Sequence, residues 1–219
     1  RIDTRSSILT TVFLEPGTRI KLTLSDSVIR KKLILTHADA DHCGAAGFFA
    51  VPSFMHEGTL DIIRTNNRAY GSASDHANLD EFYTKMINLF SRFNTPVDIR
   101  CFGPAEPVTR GIFPVIGRFR IGNVDLEVLD GLGGHTHGQV FLYSKDNGLL
   151  FTADGLINFA SLTKERADYS SLAAFLVTSV NVDSEYAKKE RVALLALAQE
   201  TDAALSGTGR RCLVCGGHG

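Results

Sequence analysis

The chain has 219 residues, 44% hydrophobic and 21% charged, the balance of a globular protein and not of a disordered, collagenous or coiled-coil chain. Its 23 basic and 24 acidic residues leave a formal charge of −1, which offers no bulk electrostatic pull on nucleic acid or anionic membranes. No apolar run approaches the ~20 residues of a membrane span. Four cysteines are too few for a disulfide scaffold, so the expectation is a reduced, cytoplasmic protein with a single domain over residues 1–219. The chain opens on Arg1 and stops just after His218, which reads as a chain trimmed at both ends.

Ile8–Leu14 is apolar and rich in β-formers, Glu15-Pro16-Gly17 reads as a turn, and Arg19–Leu24 alternates as a half-buried strand does. Ser25–Val28 reads as the start of a short helix. Lys32–Thr36 is a short apolar run, as expected of a strand buried on both faces. Leu79, Phe82, Tyr83, Met86, Phe90 and Phe93 recur at spacings of three and four, which predicts a helix over 77–93 whose aromatic stripe packs as core. Thr95–Gly111, with three prolines, reads as a loop with a short strand.

Four short strands are then predicted, Val115–Ile121, Val124–Leu129, Gln139–Tyr143 and Leu149–Thr152. Gly122-Asn123 and Asp146-Asn147-Gly148 lie at hairpin turns. A second helix is predicted from Ser184 to about Gln199, capped by Asp183 or Ser184. Val192, Leu194, Leu195 and Leu197 are its apolar residues; Glu185, Lys188, Lys189, Glu190 and Arg191 read as a solvated face. Arg211–Cys215 is a closing strand. This order suggests two sheets with helices outside, and a helical, irregular insertion over about 57–112.

The chemistry concentrates where strands end. His37, Asp39, Asp41 and His42 place four potential metal ligands within six residues after the buried strand. Alternate residues of a loop leaving a strand can face one way, so His37, Asp39 and Asp41 could converge while His42 points elsewhere. A division of ligands between two neighbouring ions follows. The plainer alternative is a polar loop whose aspartates cap a helix before Gly44–Phe49. Three further strand-end elements are Gly133-Gly134-His135-Thr136-His137-Gly138, Phe151-Thr152-Ala153-Asp154-Gly155 and Cys212 to Gly219 with His218.

In these motifs the chain resembles the metallo-β-lactamase fold superfamily, and within it the glyoxalase-II-like hydrolases. The family's T-H-x-H-x-D-H stands here as Thr36-His37-Ala38-Asp39-Ala40-Asp41-His42, its G-H-T-x-G as Gly134-His135-Thr136-His137-Gly138, its F-T-G-D as Phe151-Thr152-Ala153-Asp154, and its G-H-G as Gly217-His218-Gly219. The resemblance runs over about residues 30–219. It implies an α/β (α+β) fold, a four-layer αβ/βα sandwich with metals at one edge between the sheets. It implies one ion on His37, Asp39 and His135, another on Asp41, His42 and His218, and Asp154 bridging both. Asp41 and Asp154 would be the catalytic carboxylates.

Asp39 departs from the pattern, since most members carry His there. Flavodiiron reductases place Glu at that position and a DNA-uptake branch places Asp. Two divalent ions with three carboxylates and a bridging hydroxide would form a neutral cluster, less able to acidify water than one with His at 39. The expected cofactors are two divalent ions, zinc first, with iron or manganese admitted by the harder donors. The expected function is hydrolysis of a small ester or thioester. A phosphodiesterase or nuclease, or an iron-dependent dioxygenase or oxygen reductase, is the alternative. The partner is a small molecule, with no nucleic acid or membrane favoured and a homodimer allowed.

His137 reads as a supporting or substrate group. His56 and His76 read as surface residues. Cys43 reads as a small buried residue, and Cys212 and Cys215 as strand residues on opposite faces.

Overall fold

The computed structural model describes residues 8–9, 32–72, 77–157, 162–171 and 181–218. Arg19–Leu24, Ser25–Val28, the turn at Glu15-Pro16-Gly17, most of Ile8–Leu14, and His76 lie outside the described residues.

One sheet is parallel, in the order β1 (Ile8–Leu9), β2 (Lys32–Ile34), β3 (Pro52–Met55), β4 (Asp98–Cys101). The other contains β5 (Thr109–Arg110), β6 (Phe113–Ile121), β7 (Val124–Asp130), β8 (Val140–Ser144) and β9 (Leu149–Ala153) as an antiparallel meander. Its last strand, β10 (Leu213–Gly216), returns parallel to β9. The meander is where the sequence pattern was clearest, and Gly122 and Gly148 take left-handed φ of 58° and 63° at the two expected hairpins. Because β7 and β9 both run against β8, and β10 runs with β9, the C-terminal ends of all three emerge at one sheet edge.

The helices are α1 (Ala40–Cys43), α2 (Glu57–Thr65), α3 (Ala77–Phe90), α4 (Lys164–Ser171) and α5 (Ser184–Leu205). Strand alternation sorts the core into three layers. Leu33 and Leu35 pack with Met55 against Leu60, Ile62 and Ile63 of α2. Ile34, between them in sequence, faces the other way and meets Ile116, Leu126, Val128, Val140 and Leu142 of the second sheet. Phe113, Leu129, Phe141, Tyr143 and Leu150 point out of the opposite face onto Leu194 and Leu197 of α5. Helix, sheet, sheet and helix therefore stack as the expected mixed α+β sandwich.

Two helical readings need correction. The stripe of α3 is largely solvent-facing: Leu79, Phe82, Met86, Leu89 and Phe90 are exposed, and the buried residues are Asp80 and Thr84. The inward face is polar because it supports a buried turn: Thr84 Oγ1 accepts from the Arg68 N–H at 3.1 Å and donates to Asp80 O at 2.6 Å. In α5, Asp183 is the cap, accepting from the N–H groups of Glu185 and Tyr186, both at 2.9 Å. The buried stripe runs Ala187, Glu190, Leu194, Leu197, Thr201, Leu205, which puts Glu190 inside and turns Val192 and Leu195 out to solvent.

Leu194→Ala should lower stability by about 2–5 kcal/mol through lost burial and the cavity it leaves. Leu195→Ala should change it by less than about 0.5 kcal/mol. Urea unfolding of the two variants checks this register.

Candidate metal centre

Each expected site residue sits on a strand exit. Beyond β2, the Thr36 hydroxyl meets His37 Nδ1 at 3.1 Å, which turns the Nε2 of this fully buried ring away from Thr36. Asp39 is the N-cap residue of α1, and its carbonyl accepts from His42 and Cys43 N–H, both at 2.9 Å. Its side chain makes no capping bond, so the helix-capping alternative does not account for it. The single turn of α1 then carries Asp41 and His42.

Beyond β7, the loop bearing His135 is clamped onto α5. Glu190 Oε1 accepts from Leu132 N–H at 2.6 Å, and Asp183 N–H donates to Gly134 O at 2.9 Å. Gly134 lies so close to Ala187 and Glu190 that a Cβ there would overlap them. Burial holds the Glu190 carboxyl above the usual range, with the N–H groups of Leu132, Gly134 and Gly133 pulling the other way. Beyond β9, Ala153 takes a left-handed φ of 43° immediately before Asp154. There the pairing with β10 shifts by a residue, and Gly217 N–H donates to Ala153 O at 2.7 Å. A Cβ on Gly217 would strike Asp154 and His42, so only glycine lets this backbone pass so close.

The seven residues His37, Asp39, Asp41, His42, His135, Asp154 and His218 meet in one place. His37, Asp39 and His135 form one group and Asp41, His42 and His218 another, each with donor atoms within 4.8 Å of one another. Within the first, Asp39 Oδ2 lies 3.2 Å from His135 Nε2 and 3.8 Å from His37 Nε2. Within the second, His218 Nε2 lies 3.3 Å from Asp41 Oδ2 and 3.2 Å from His42 Nε2. Asp154 stands between them: Oδ1 is 3.1 Å from His42 Nε2, while Oδ2 is 3.1 Å from His218 Nε2 and 3.5 Å from His135 Nε2. The first group is enclosed, whereas Asp41 is 49% exposed and His218 30% at the side chain.

The donor set fits divalent ions. Burial, with His42 and His135 alongside, keeps His37 well below the normal imidazole range, so its ring is neutral. His37 Nε2 is buried without a hydrogen-bond partner, the condition of an imidazole whose lone pair awaits a cation. Asp154 is held low against its burial by hydrogen bonds from His218 and His42. Hydrogen bonds to Asp154 and Asp41 push His218 up to about 10. Asp39 is held well below its usual value, burial opposing and the Arg68 guanidinium prevailing.

Arg68 and Glu190 are the contributors that the sequence reading missed. Glu190 was legible, since it falls on the three-and-four spacing of the α5 buried stripe. Arg68 has no motif; a carboxylate at 39 demands a cation nearby, but nothing local says which one. His56 is not a surface residue: its Nδ1 accepts from Gly58 N–H at 2.9 Å to cap α2, and its Nε2 faces Asp130 Oδ1 at 3.5 Å. His137 packs edge-on to it at 6.1 Å and lies against Gly58 and Gly71, outside both donor groups. Cys43 is buried as expected, its thiol donating to Ala38 O at 3.1 Å.

Glu190→Ala should cost about 1–3 kcal/mol by stranding the Leu132 N–H. Glu190→Gln keeps an acceptor without the charge. Because a raised carboxyl value means stability lost as pH rises through it, the Gln variant should lack that decline in unfolding measured across pH. Ala153→Gly should not destabilise, although Ala→Gly in an ordinary strand loses roughly 0.5–1 kcal/mol, since glycine accepts the left-handed backbone without strain; thermal unfolding reads the difference.

A family model described as the metallo-beta-lactamase superfamily matches residues 31–206, well over half of the chain. No curated protein matches. Among solved structures, the chain is similar to a metallo-beta-lactamase from Pontibacter korlensis, at 18% identity and a TM-score of 0.44, covering 86% of this chain and 61% of that one. It is also similar to a metallo-beta-lactamase family protein from Thermus thermophilus, at 19% identity and a TM-score of 0.39, covering 81% and 64% respectively. The chain thus spans less than two thirds of the length of either. With residues 31–206 matched and the sandwich in place, the chain belongs to the metallo-beta-lactamase superfamily, whose members are generally hydrolases.

Proposed function

We propose that the protein is a metal-dependent hydrolase with a dinuclear centre, acting on an ester or thioester of a small molecule. The observation that carries this reading is Asp154, whose two oxygens face different donor groups, Oδ1 toward His42 and Oδ2 toward His135 and His218. A single carboxylate in that position can keep two cations at a fixed separation. Two divalent ions held there would bring a shared water to a near-neutral pKa and polarise a carbonyl oxygen.

The residues of the chain supply the rest. His37, Asp39 and His135 would hold one ion in the enclosed group; Asp41, His42 and His218 would hold the other at the open side. Four imidazoles and three carboxylates suit zinc, and the carboxylate share also admits iron or manganese. Substrate would enter beside Asp41 and His218, the most exposed members. Asp41, reaching solvent, can pass a proton outward, and Asp154 can take one up during turnover. No serine or cysteine nucleophile is required, and burial pushes the neighbouring Cys43 thiol well up, which leaves it unreactive. The near-balanced charge supports a small substrate over nucleic acid.

Elemental analysis of protein purified without added metal should find about two divalent ions per chain, as a dinuclear site requires. His37→Ala and Asp41→Ala should each lose metal and reduce ester or thioester turnover by more than the roughly 10–100-fold typical of losing a supporting group. Full metal content and rate in both variants would overturn the reading. Oxygen consumption by the iron-loaded protein, with no hydrolysis of esters, thioesters or phosphodiesters, would move it to the redox class.

A further inference from the structure

Arg68 occupies the turn after α2 and is buried, with 9% of its surface exposed. Its Nε donates to both oxygens of Asp39, at 2.9 Å to Oδ1 and 3.2 Å to Oδ2. Its Nη2 reaches the His135 carbonyl at 3.4 Å and lies 3.5 Å from His135 Nε2. The turn is itself fixed. Asn66 ends α2 in a left-handed conformation, with φ of 50°, and its side-chain oxygen accepts from Asn88 of α3 at 2.9 Å. The Arg68 N–H is held by Thr84. A buried guanidinium without a carboxylate, or a buried carboxylate without a cation, is strongly unfavourable, so each of Asp39 and Arg68 requires the other.

We propose that Arg68 is the positioning residue of the enclosed donor group: it grips Asp39 along its outer side so that Oδ2 faces His37 and His135, and it supplies the countercharge that lets a carboxylate serve there. The proposal rests on the dinuclear reading above and deepens it. It explains why Asp39, at the start of α1, leaves the helix uncapped, since its side chain is drawn to Arg68 instead. It also explains the polar inward face of α3, which holds the Arg68 backbone. With Arg68 counted, the positive charge that a third carboxylate removes from the centre is restored beside it. A role in gripping the substrate is disfavoured by the direction of the guanidinium, which points at Asp39 and the His135 carbonyl.

The test is stepwise Zn²⁺ affinity of the full chain, measured by competition with a chromophoric chelator, for wild type, Arg68→Met, Arg68→Lys, Asp39→His and the double variant Asp39→His/Arg68→Met. Arg68→Met should weaken one of the two binding steps by about 10–100-fold and leave the other within about twofold. Arg68→Lys should recover only part of the loss, because an ammonium cannot engage both oxygens as the planar fork does. Asp39→His should weaken the same step by setting an imidazole against an unpaired guanidinium. The double variant removes both charges, buries nothing unpaired, and should regain most of the affinity.

Two ions in wild type with both steps unchanged in Arg68→Met would overturn the proposal while leaving the dinuclear reading intact. Additive losses in the double variant would do the same. One ion in wild type and two in Arg68→Met would show the guanidinium occupying the first place instead of orienting it, which also overturns the proposal. No ion in wild type would overturn the dinuclear reading and the proposal with it, and the wild-type count alone identifies that case.

Discussion

Lone pairs do not gather without a cation. Seven donor side chains meet at one sandwich edge, and among the described residues His37 Nε2 is buried with nothing to bond it. Such an assembly is repulsive when its imidazoles are neutral and its carboxylates ionised, and removing it from water makes the repulsion worse. The packing elsewhere must be good enough to hold it. Three apolar layers do so, one beneath α2, one between the sheets and one beneath α5, and all three are built from alternate residues of the same strands. The topology supplies the rest by releasing β7, β9 and β10 at a common edge.

Around the donors lies a set of polar contacts that contribute no ligand but fix where the ligands point. Thr36 sets the His37 ring, Glu190 ties down the loop before His135, and Gly217 brings His218 past Asp154. These contacts bury charge and strain backbone, and they are tolerated because each rests on a regular element. Glu190 sits on a long helix, Ala153 ends a paired strand, and Arg68 is anchored to α3 through Thr84.

The candidate site was more legible in the sequence than the fold that holds it. Ligand histidines and aspartates announce themselves by type and by short spacing after apolar runs, as in Thr36 to His42. The meander was readable because its strands alternate and its turns carry Gly122 and Gly148. The helices were harder. The three-and-four spacing of α3 reports that one face is apolar, and cannot report that its polar side packs inward on the Arg68 turn. In α5 the choice between Leu194 and Leu195 as core depends on which face meets the sheet, and the charges at 188–191 drew Glu190 into the wrong group. Arg68 was invisible because its partner lies 29 positions away, and pairing at that range is decided by tertiary packing.

The uneven enclosure of the two donor groups has a kinetic meaning. His37 and His135 lie behind the first group at almost no exposure, whereas Asp41 and His218 open the second to solvent. An ion in the inner place must pass through the outer one to leave, so the two would differ in lability more than in affinity. Loading would be ordered, inner before outer, and a chelator would strip the centre in two phases. Partial occupancy in an isolated preparation would then record its handling as much as its chemistry.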